Sequence, residues 1–581
     1  MADTPVAPTD ETLTGKPRGA GGQRPVLVVG GGLAGLATAL TCALGGRRAI
    51  VCEAAELVGG AAAYSGGQVW CGANHVAARE GITGDSAGLT ETYIRDVAAH
   101  LAPEVLDEEA LRRWIDVAPR AMSYFEDNGA VRWTVIPGLA DYHNEAKGAL
   151  PEGRYLTNEV IDGSVLGPWR AKLRYSPYFP VGTTYRELLR KGRRATYVDD
   201  AGNEKQATRR SHAGLPAFGL ADGTGFDTAA DADPLTFGTG VVAGFLGRAA
   251  GHELVDIRTE HRVTELIQDN GAVVGLRAQT PDGVVELRGP VVLATSTYDW
   301  DPELVHEVLG LGAEDWGSVA PETLRGDGIK LARQVGGELA RIPANATPIL
   351  PGWRSQVGTG FGYGPEYAMP HSMIVDRHGN RYCNDSYWVD ICRRTLDPGA
   401  AHLPFFLIWD DRHRRKYGLA ATPPGGQYPE GWVQSAPTLT ELGELLGIDG
   451  AQLARTARRF SRFAERGEDP DFGRGTVDYV NKFAGDPDNE PNPVLGPIDT
   501  PPFHGIRLRF VGTGIGTSGV RIDGDGHVLD ASGRPIPGLH AAGSVAALTT
   551  TGTAYNSGIA LGRGLTLAYL AGHELAGNPV A

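Results

Sequence analysis

The chain has 581 residues, 82 of them glycine, with 41% hydrophobic and 21% charged side chains. The glycines keep no three-residue period and the apolar share is high, which excludes collagen-like and disordered chains and leaves a folded protein rich in tight turns or close backbone approaches. A net charge of −15 without a long Lys/Arg block argues against nucleic acid or anionic lipid as a partner.

Five cysteines (Cys42, Cys52, Cys71, Cys383 and Cys392) form no CxxC pair. Reduced thiols and a cytoplasmic location are therefore expected, with no disulfide framework and no metal site. Nowhere do about 18 uncharged apolar residues run together, so no integral membrane segment is expected. The length calls for two or more domains.

Residues 1–24 lack an apolar leader core and are expected to be a disordered tail. From Pro25, PVLVVGGGLAGLATALTCALGGRRAIVCEAAE is a strand, a glycine turn, a small-residue helix and a second strand ending in an acid. Gly30, Gly32 and Gly35 form GxGxxG: one for the tight turn, one for backbone approach to a pyrophosphate, one for helix–strand packing. Leu33 and Ala34 belong to the same anion-facing turn. Glu53, at the end of the second strand, is placed to accept ribose hydroxyls.

Next comes GGAAAYSGG, with Gly60, Ala61, Ser65, Gly66 and Gly67 as expected cofactor contacts. Asp107 caps an amphipathic helix that Asn128-Gly129 stops. Residues 190–236 are polar and glycine-rich, a long loop or lid. Between 259 and 294 four short strands alternate with Asn270-Gly271 and Asp282-Gly283 turns, a meander expected to return to the first sheet, with Val263 and Ala294 facing the cofactor. Residues 305–490 mix helices, including one from about 451 to 466, with aromatic-rich loops and make a second domain. The C-terminal GLHAAGSVA stretch presents Gly543, and the helix after it presents Ile559 and Leu561. A nicotinamide enzyme does not need the second glycine cluster; with the third element it favours FAD over NAD.

Together VVGGGLAGL with Glu53, GGAAAYSGG, VVLATSTYDWD, GDGIKLA, PHSMIVDRHGNRYCND, DFGRGTVDYVNKFAGDPDNEPNPVLGPI and GLHAAG resemble the fumarate reductase and 3-ketosteroid dehydrogenase superfamily of flavoproteins, in patches from about residue 25 to 575. The resemblance implies an α/β fold: a Rossmann-like FAD-binding domain assembled from both ends of the chain (25–304 and 491–581) around an inserted α+β catalytic domain (305–490). With no histidine between Gly59 and Gly67, noncovalent FAD is expected.

It also implies the chemistry: a proton leaves the carbon α to a ketone and a hydride leaves the β carbon for the flavin. That needs donors for the enolate oxygen and a base, and tyrosine suits both roles if its pKa is lowered. Tyr555 in TGTAYNSG matches the family's carbonyl-binding tyrosine, with the Gly558 N–H as second donor. Ser557 departs from the 1-dehydrogenase pattern towards the 4-dehydrogenases, which leaves the position of the double bond open. For the base, the alignment leaves Tyr387 or Trp388, of which only Tyr387 can take a proton; Tyr142, beside His143, resembles the supporting tyrosine. The adjacent Arg393 and Arg394 are a possible carboxylate clamp or a solvated pair. The expected function is desaturation next to a ketone in an apolar, cyclic, steroid-like substrate, with an electron acceptor of unspecified identity. The alternatives are an enone reductase and a noncatalytic flavin-binding protein.

Overall fold

In a computed structural model, residues 23–176, 184–191, 196–198, 204–206, 234–355, 361–399, 402–420 and 422–581 are described. The first strand, β1 (Val26–Val29), is buried at all four positions, and the helix α1 (Leu33–Leu44) follows it after the glycine turn. β1 pairs in parallel with β2 (Ala49–Cys52) on one side and with Val291–Leu293 on the other. Strand Val255–Arg258 extends the sheet beyond β2, and Pro535–Ala541 extends it beyond Val291–Leu293. His527–Leu529 closes the far edge in antiparallel sense. Strands from both ends of the chain thus share one α/β sheet. Continuous apolar runs such as VLVV and AIVC mark strands covered on both faces.

α1 packs against both this sheet and the C-terminal helix (Ile559–Leu575). The packing is close because small residues meet: a Cβ on Gly35 would fall 1.9 Å from the Gly30 carbonyl oxygen, and one on Gly572 would fall 2.5 Å from the Thr41 Cβ.

The meander differs from expectation. Arg262–Asp269, Ala272–Thr280 and Gly283–Arg288 pair only with one another, in a separate three-stranded antiparallel sheet. Of the four stretches only Val291–Leu293 returns to the parallel sheet. The first turn has positive φ at Asn270 and Gly271, as a tight two-residue hairpin requires.

The expected boundary at 490/491 also moves. Phe503–Arg507 is hydrogen-bonded between Phe405–Trp409 and Gln434–Ala436, and Ser372–Asp376 completes that antiparallel sheet. Arg509–Gly512 then pairs with Trp316–Ser318 and Leu350–Arg354. Both strands pair only with strands from residues 316–436, so they belong with the second unit. We place the return to the cofactor-binding layer after Gly512. Helices Leu439–Leu446 and Gly450–Ala464 cover the sheet, with Met373, Val375, Phe406, Leu453 and Phe460 in a small core of their own.

The helix expected after Asp107 spans Glu108–Asp127, with the Asp107 side chain accepting from the Glu109 and Ala110 N–H groups. In the expected 190–236 loop, Thr196–Val198 pairs with Glu204–Gln206, and Pro234–Leu235 pairs with Ile161–Asp162. Residues 192–195, 199–203 and 207–233 of that stretch and residues 1–22 lie outside the described residues. Among the described residues no helix is long and apolar enough to cross a membrane.

Candidate active site

A long cleft runs from the β1–α1 turn to the inner face of the second unit. At its first end, Gly30 has φ +112°, and Gly32, in extended conformation, starts α1 without a side-chain cap. The first N–H groups of α1 therefore face the cleft unpaired, where an anion is favoured. A Cβ on Gly32 would meet nothing nearer than the Gly59 oxygen at 4.0 Å, so it would project into the cleft and fill the cradle. Glu53 is fixed from both sides, Oε2 accepting from the Gly31 N–H at 2.7 Å and Oε1 from the Ala55 N–H at 2.8 Å. Burial pushes its carboxyl up in pKa, and those two hydrogen bonds oppose the rise. This donor set, with its glycine floor and acid, fits the pyrophosphate and ribose of FAD.

Gly30, Gly32, Leu33, Ala34 and Glu53 line the cleft, as do Gly60, Ala61, Ser65 and Gly66 on or beside α2 (Gly60–Tyr64). Val263, Ala294, Gly543 and Leu561 line it from other elements. Three expected contacts do not. Gly35 packs under the Gly30 carbonyl, Gly67 lies against the Phe237–Gly238 peptide, where a Cβ would fall 2.3 Å from Phe237 carbon, and Ile559 is fully buried. Gly514, from the glycine-rich GTGIGTSG run, and Ser544, from GLHAAGSVA, also line it; the glycine clusters of those two stretches were expected to lie against cofactor or substrate.

Tyr142, Tyr555, Ser557 and Gly558 line the same cleft. Gly558 precedes the C-terminal helix with φ +89°, and a Cβ there would fall 2.7 Å from the Trp70 nitrogen, so only glycine fits. Among the described residues neither the Tyr555 hydroxyl nor the Gly558 N–H has a hydrogen-bond acceptor. Asn556, between them, is fully buried, and its Oδ1 accepts from the Tyr93 hydroxyl at 3.0 Å, the Tyr155 hydroxyl at 3.2 Å and the Tyr142 N–H at 2.9 Å. The neighbouring Asp141 accepts from the Trp70 indole and the Arg154 guanidinium, each at 2.8 Å. Together these hold the Tyr142 backbone against the start of the C-terminal helix.

Tyr387, the expected base, does not line the cleft. It sits at the start of helix Trp388–Thr395, with its hydroxyl 3.4 Å from the Tyr142 carbonyl oxygen, and the next residue, Trp388, lines the cleft instead. Trp388 rests edge-on to Tyr142 and Tyr555, at ring separations of 5.8 and 6.0 Å. Tyr479 is the residue that sequence reasoning missed: it lines the cleft 4.3 Å, ring to ring, from Tyr142. Tyr479 is one of the polar neighbours that hold down the pKa of the Tyr142 hydroxyl, and Gln68 is one for Tyr479.

The lowered tyrosine pKa that the chemistry asks for is absent. Burial pushes Tyr387, Tyr479 and Tyr555 far above the ordinary phenol range. Burial also raises Tyr142, but hydrogen bonds from Ser557, Tyr479 and Trp388 oppose the rise. Tyr142 is thus the phenol best supplied with donors for a phenolate oxygen. His143 is held down to about 4, by burial first and then by Arg393 and His100.

Behind Trp388 and Tyr555 lies a second, smaller cavity, lined also by His100, His143 and Arg393. Arg394 pairs with Asp390 at 3.0 Å, whereas Arg393 has no carboxylate partner among the described residues.

A glycine turn, a buried acid after β2 and a tyrosine-lined cleft fit a flavin enzyme, and the chain belongs to the FAD binding domain family, whose model it matches over residues 25–561. It is an FAD-dependent oxidoreductase. It is similar to the 4-oxocyclohexanecarboxylate 2-dehydrogenase of Sinomonas cyclohexanicum, at 30% identity over 98% of this chain and 95% of that one. A 3-oxosteroid 1-dehydrogenase of Mycobacterium tuberculosis is 29% identical over 95% of this chain and 98% of its own length. Its fold is like that of the 3-ketosteroid delta1-dehydrogenase from Sterolibacterium denitrificans, with a TM-score of 0.79 at 22% identity, covering 96% of this chain and 99% of the other.

Proposed function

We propose that the protein is a dehydrogenase that introduces a carbon–carbon double bond α,β to the ketone of a cyclic substrate. The observation that carries this reading is the pair of donors without acceptors, the Tyr555 hydroxyl and the Gly558 N–H, in the cleft that Tyr142 also lines. The ketone oxygen takes both hydrogen bonds, which strengthen as it becomes an enolate; this is the geometry of an oxyanion hole. Tyr142, as phenolate, removes the α proton, and its neighbours Ser557, Tyr479 and Trp388 favour that charged form. Trp388 and Tyr479 exclude water and form an apolar floor for the ring. The α1 turn, Glu53 and the α2 segment would hold FAD noncovalently, and the bound flavin would supply the hydride acceptor for the β carbon.

The relatives' names, an oxocyclohexanecarboxylate dehydrogenase and an oxosteroid dehydrogenase, support a cyclic ketone. Tyr555→Phe tests the reading: it is expected to lower kcat by about 10²–10³ while FAD binding persists. Unchanged turnover of every accepted ketone contradicts it.

A second reading concerns the substrate's far end. Arg393, a guanidinium without a carboxylate partner in a cavity that shares Tyr555 and Trp388 with the cleft, favours a keto acid over a neutral steroid. Arg393→Gln then raises KM for 4-oxocyclohexanecarboxylate and leaves KM for a neutral ketosteroid unchanged; equal effects on both contradict this reading.

A further inference from the structure

We propose that His527, His540 and Glu574 bind one divalent first-row transition metal ion, such as zinc, at the edge of the main sheet. His527 and His540 lie directly opposite each other in the antiparallel register of His527–Leu529 with Pro535–Ala541, so their side chains leave the sheet on one face. Their ring centroids are 4.6 Å apart. The last turn of the C-terminal helix brings Glu574 to them: Oε1 lies 3.0 Å from His527 Nε2, and Oε2 lies 3.6 Å from His540 Nε2. One ligand atom from each residue lies within 4.8 Å of the others. A tetrahedral zinc with bonds of about 2.0–2.1 Å places its ligand atoms about 3.3–3.4 Å apart.

Two further observations point to an ion rather than to a shared-proton cluster. His540 is 4% exposed, and neither of its ring nitrogens has a hydrogen-bond partner. A network of His527 with its two carboxylates leaves that buried imidazole unsatisfied, whereas a metal ion supplies a partner for its Nε2. Asp523 Oδ2 meets His527 Nδ1 at 2.8 Å, while Asp523 Oδ1 accepts the Asp525 and His527 N–H groups at 3.1 and 3.0 Å. The carboxylate thus orients the ring, the arrangement that supports histidine ligands elsewhere, and the ion takes the place of the contact between His527 Nε2 and Glu574 Oε1. The Glu574 side chain is 39% exposed and that of His527 25%, so the outer side is open to a water as fourth ligand. None of the three ligands lines the catalytic cleft. The ion ties the end of the C-terminal helix to the edge strands. No metal site is legible in the sequence, because only the cross-strand register brings the two histidines together.

The test is isothermal titration of the EDTA-treated, dialysed FAD-loaded enzyme with zinc. One zinc per chain is expected, with saturable binding weakened by more than about 100-fold in His527→Ala and in Glu574→Gln, and by about 10–100-fold in Asp523→Asn. Turnover is expected to be the same with and without zinc. His540→Ala is also expected to abolish binding; since that side chain is buried, the two more exposed variants decide the matter if it fails to fold. Absence of saturable binding, or equal binding by His527→Ala and Glu574→Gln, overturns the proposal.

Discussion

Tyr142 concentrates the chemistry at the scale of single residues. Its hydroxyl is buried and its pKa raised, yet it must lose its proton to act as a base. The fraction of phenolate therefore increases with pH throughout the range below that raised pKa. We expect kcat/KM to climb about tenfold per pH unit through neutrality, without a plateau below about pH 10, and Tyr142→Phe to lower kcat by about 10²–10⁴ and remove the slope. A pH–rate profile of both proteins checks this. The loop holding Tyr142 was legible in the sequence; its rank above Tyr387 was not. Tyr387 and Trp388 are adjacent, and which of them faces the cleft depends on where helix Trp388–Thr395 begins. Tyr479 went unnoticed for a related reason. It lies on the short helix Asp478–Phe483, where its stacking on Phe483 at 5.6 Å is the ordinary signature of a core face.

Segments carry these residues, and a buried ionic cluster fixes the segment before Trp388. Asp385 accepts from Arg381 at 2.7 Å and from the Ile374 N–H at 2.8 Å, Arg474 lies 3.3 Å away, and Arg381 also holds Asp469. Removing one partner strands the others in the interior, so Asp385→Ala is expected to cost about 3–5 kcal/mol, read as a fall in Tm. Burial alone would raise the Asp385 carboxyl, but Arg381 and Arg474 bring it below its ordinary 3.8. With the folded pKa depressed, its contribution is full above that value and is lost as pH falls through the folded pKa. Asp385→Asn should remove that part of the acid dependence of stability, as acid-unfolding midpoints will reveal. The cofactor turn makes a second case. Gly35→Val places a side chain where even a Cβ lies 1.9 Å from the Gly30 oxygen, so the purified variant is expected to lack the yellow colour of bound FAD.

Across the whole molecule, the parallel sheet that carries the cofactor turn combines Val26–Val29 and Pro535–Ala541 with Val291–Leu293 between them. This much was legible, because the glycine turn, the acid after β2 and the GLHAAG strand each have a local signature. The division between the two layers was less so. Phe503–Arg507 reads FHGIR, without an apolar alternation to mark it as a strand, and only its pairing with Phe405–Trp409 assigns it to the second unit. The donors at Tyr555 and Gly558 come from the start of the last helix, and the proposed base comes from a loop far earlier in the chain. The site therefore exists only once both ends have closed on the sheet. The most direct measurement of the central claim is anaerobic mixing of the purified, FAD-loaded enzyme with saturated cyclic ketones, 4-oxocyclohexanecarboxylate and a 3-ketosteroid among them. The account predicts bleaching of the flavin absorbance with stoichiometric appearance of the α,β-unsaturated ketone, and slower bleaching in Tyr555→Phe. A flavin that no saturated ketone reduces, or a Tyr555→Phe variant that bleaches as fast as the wild type, would contradict it.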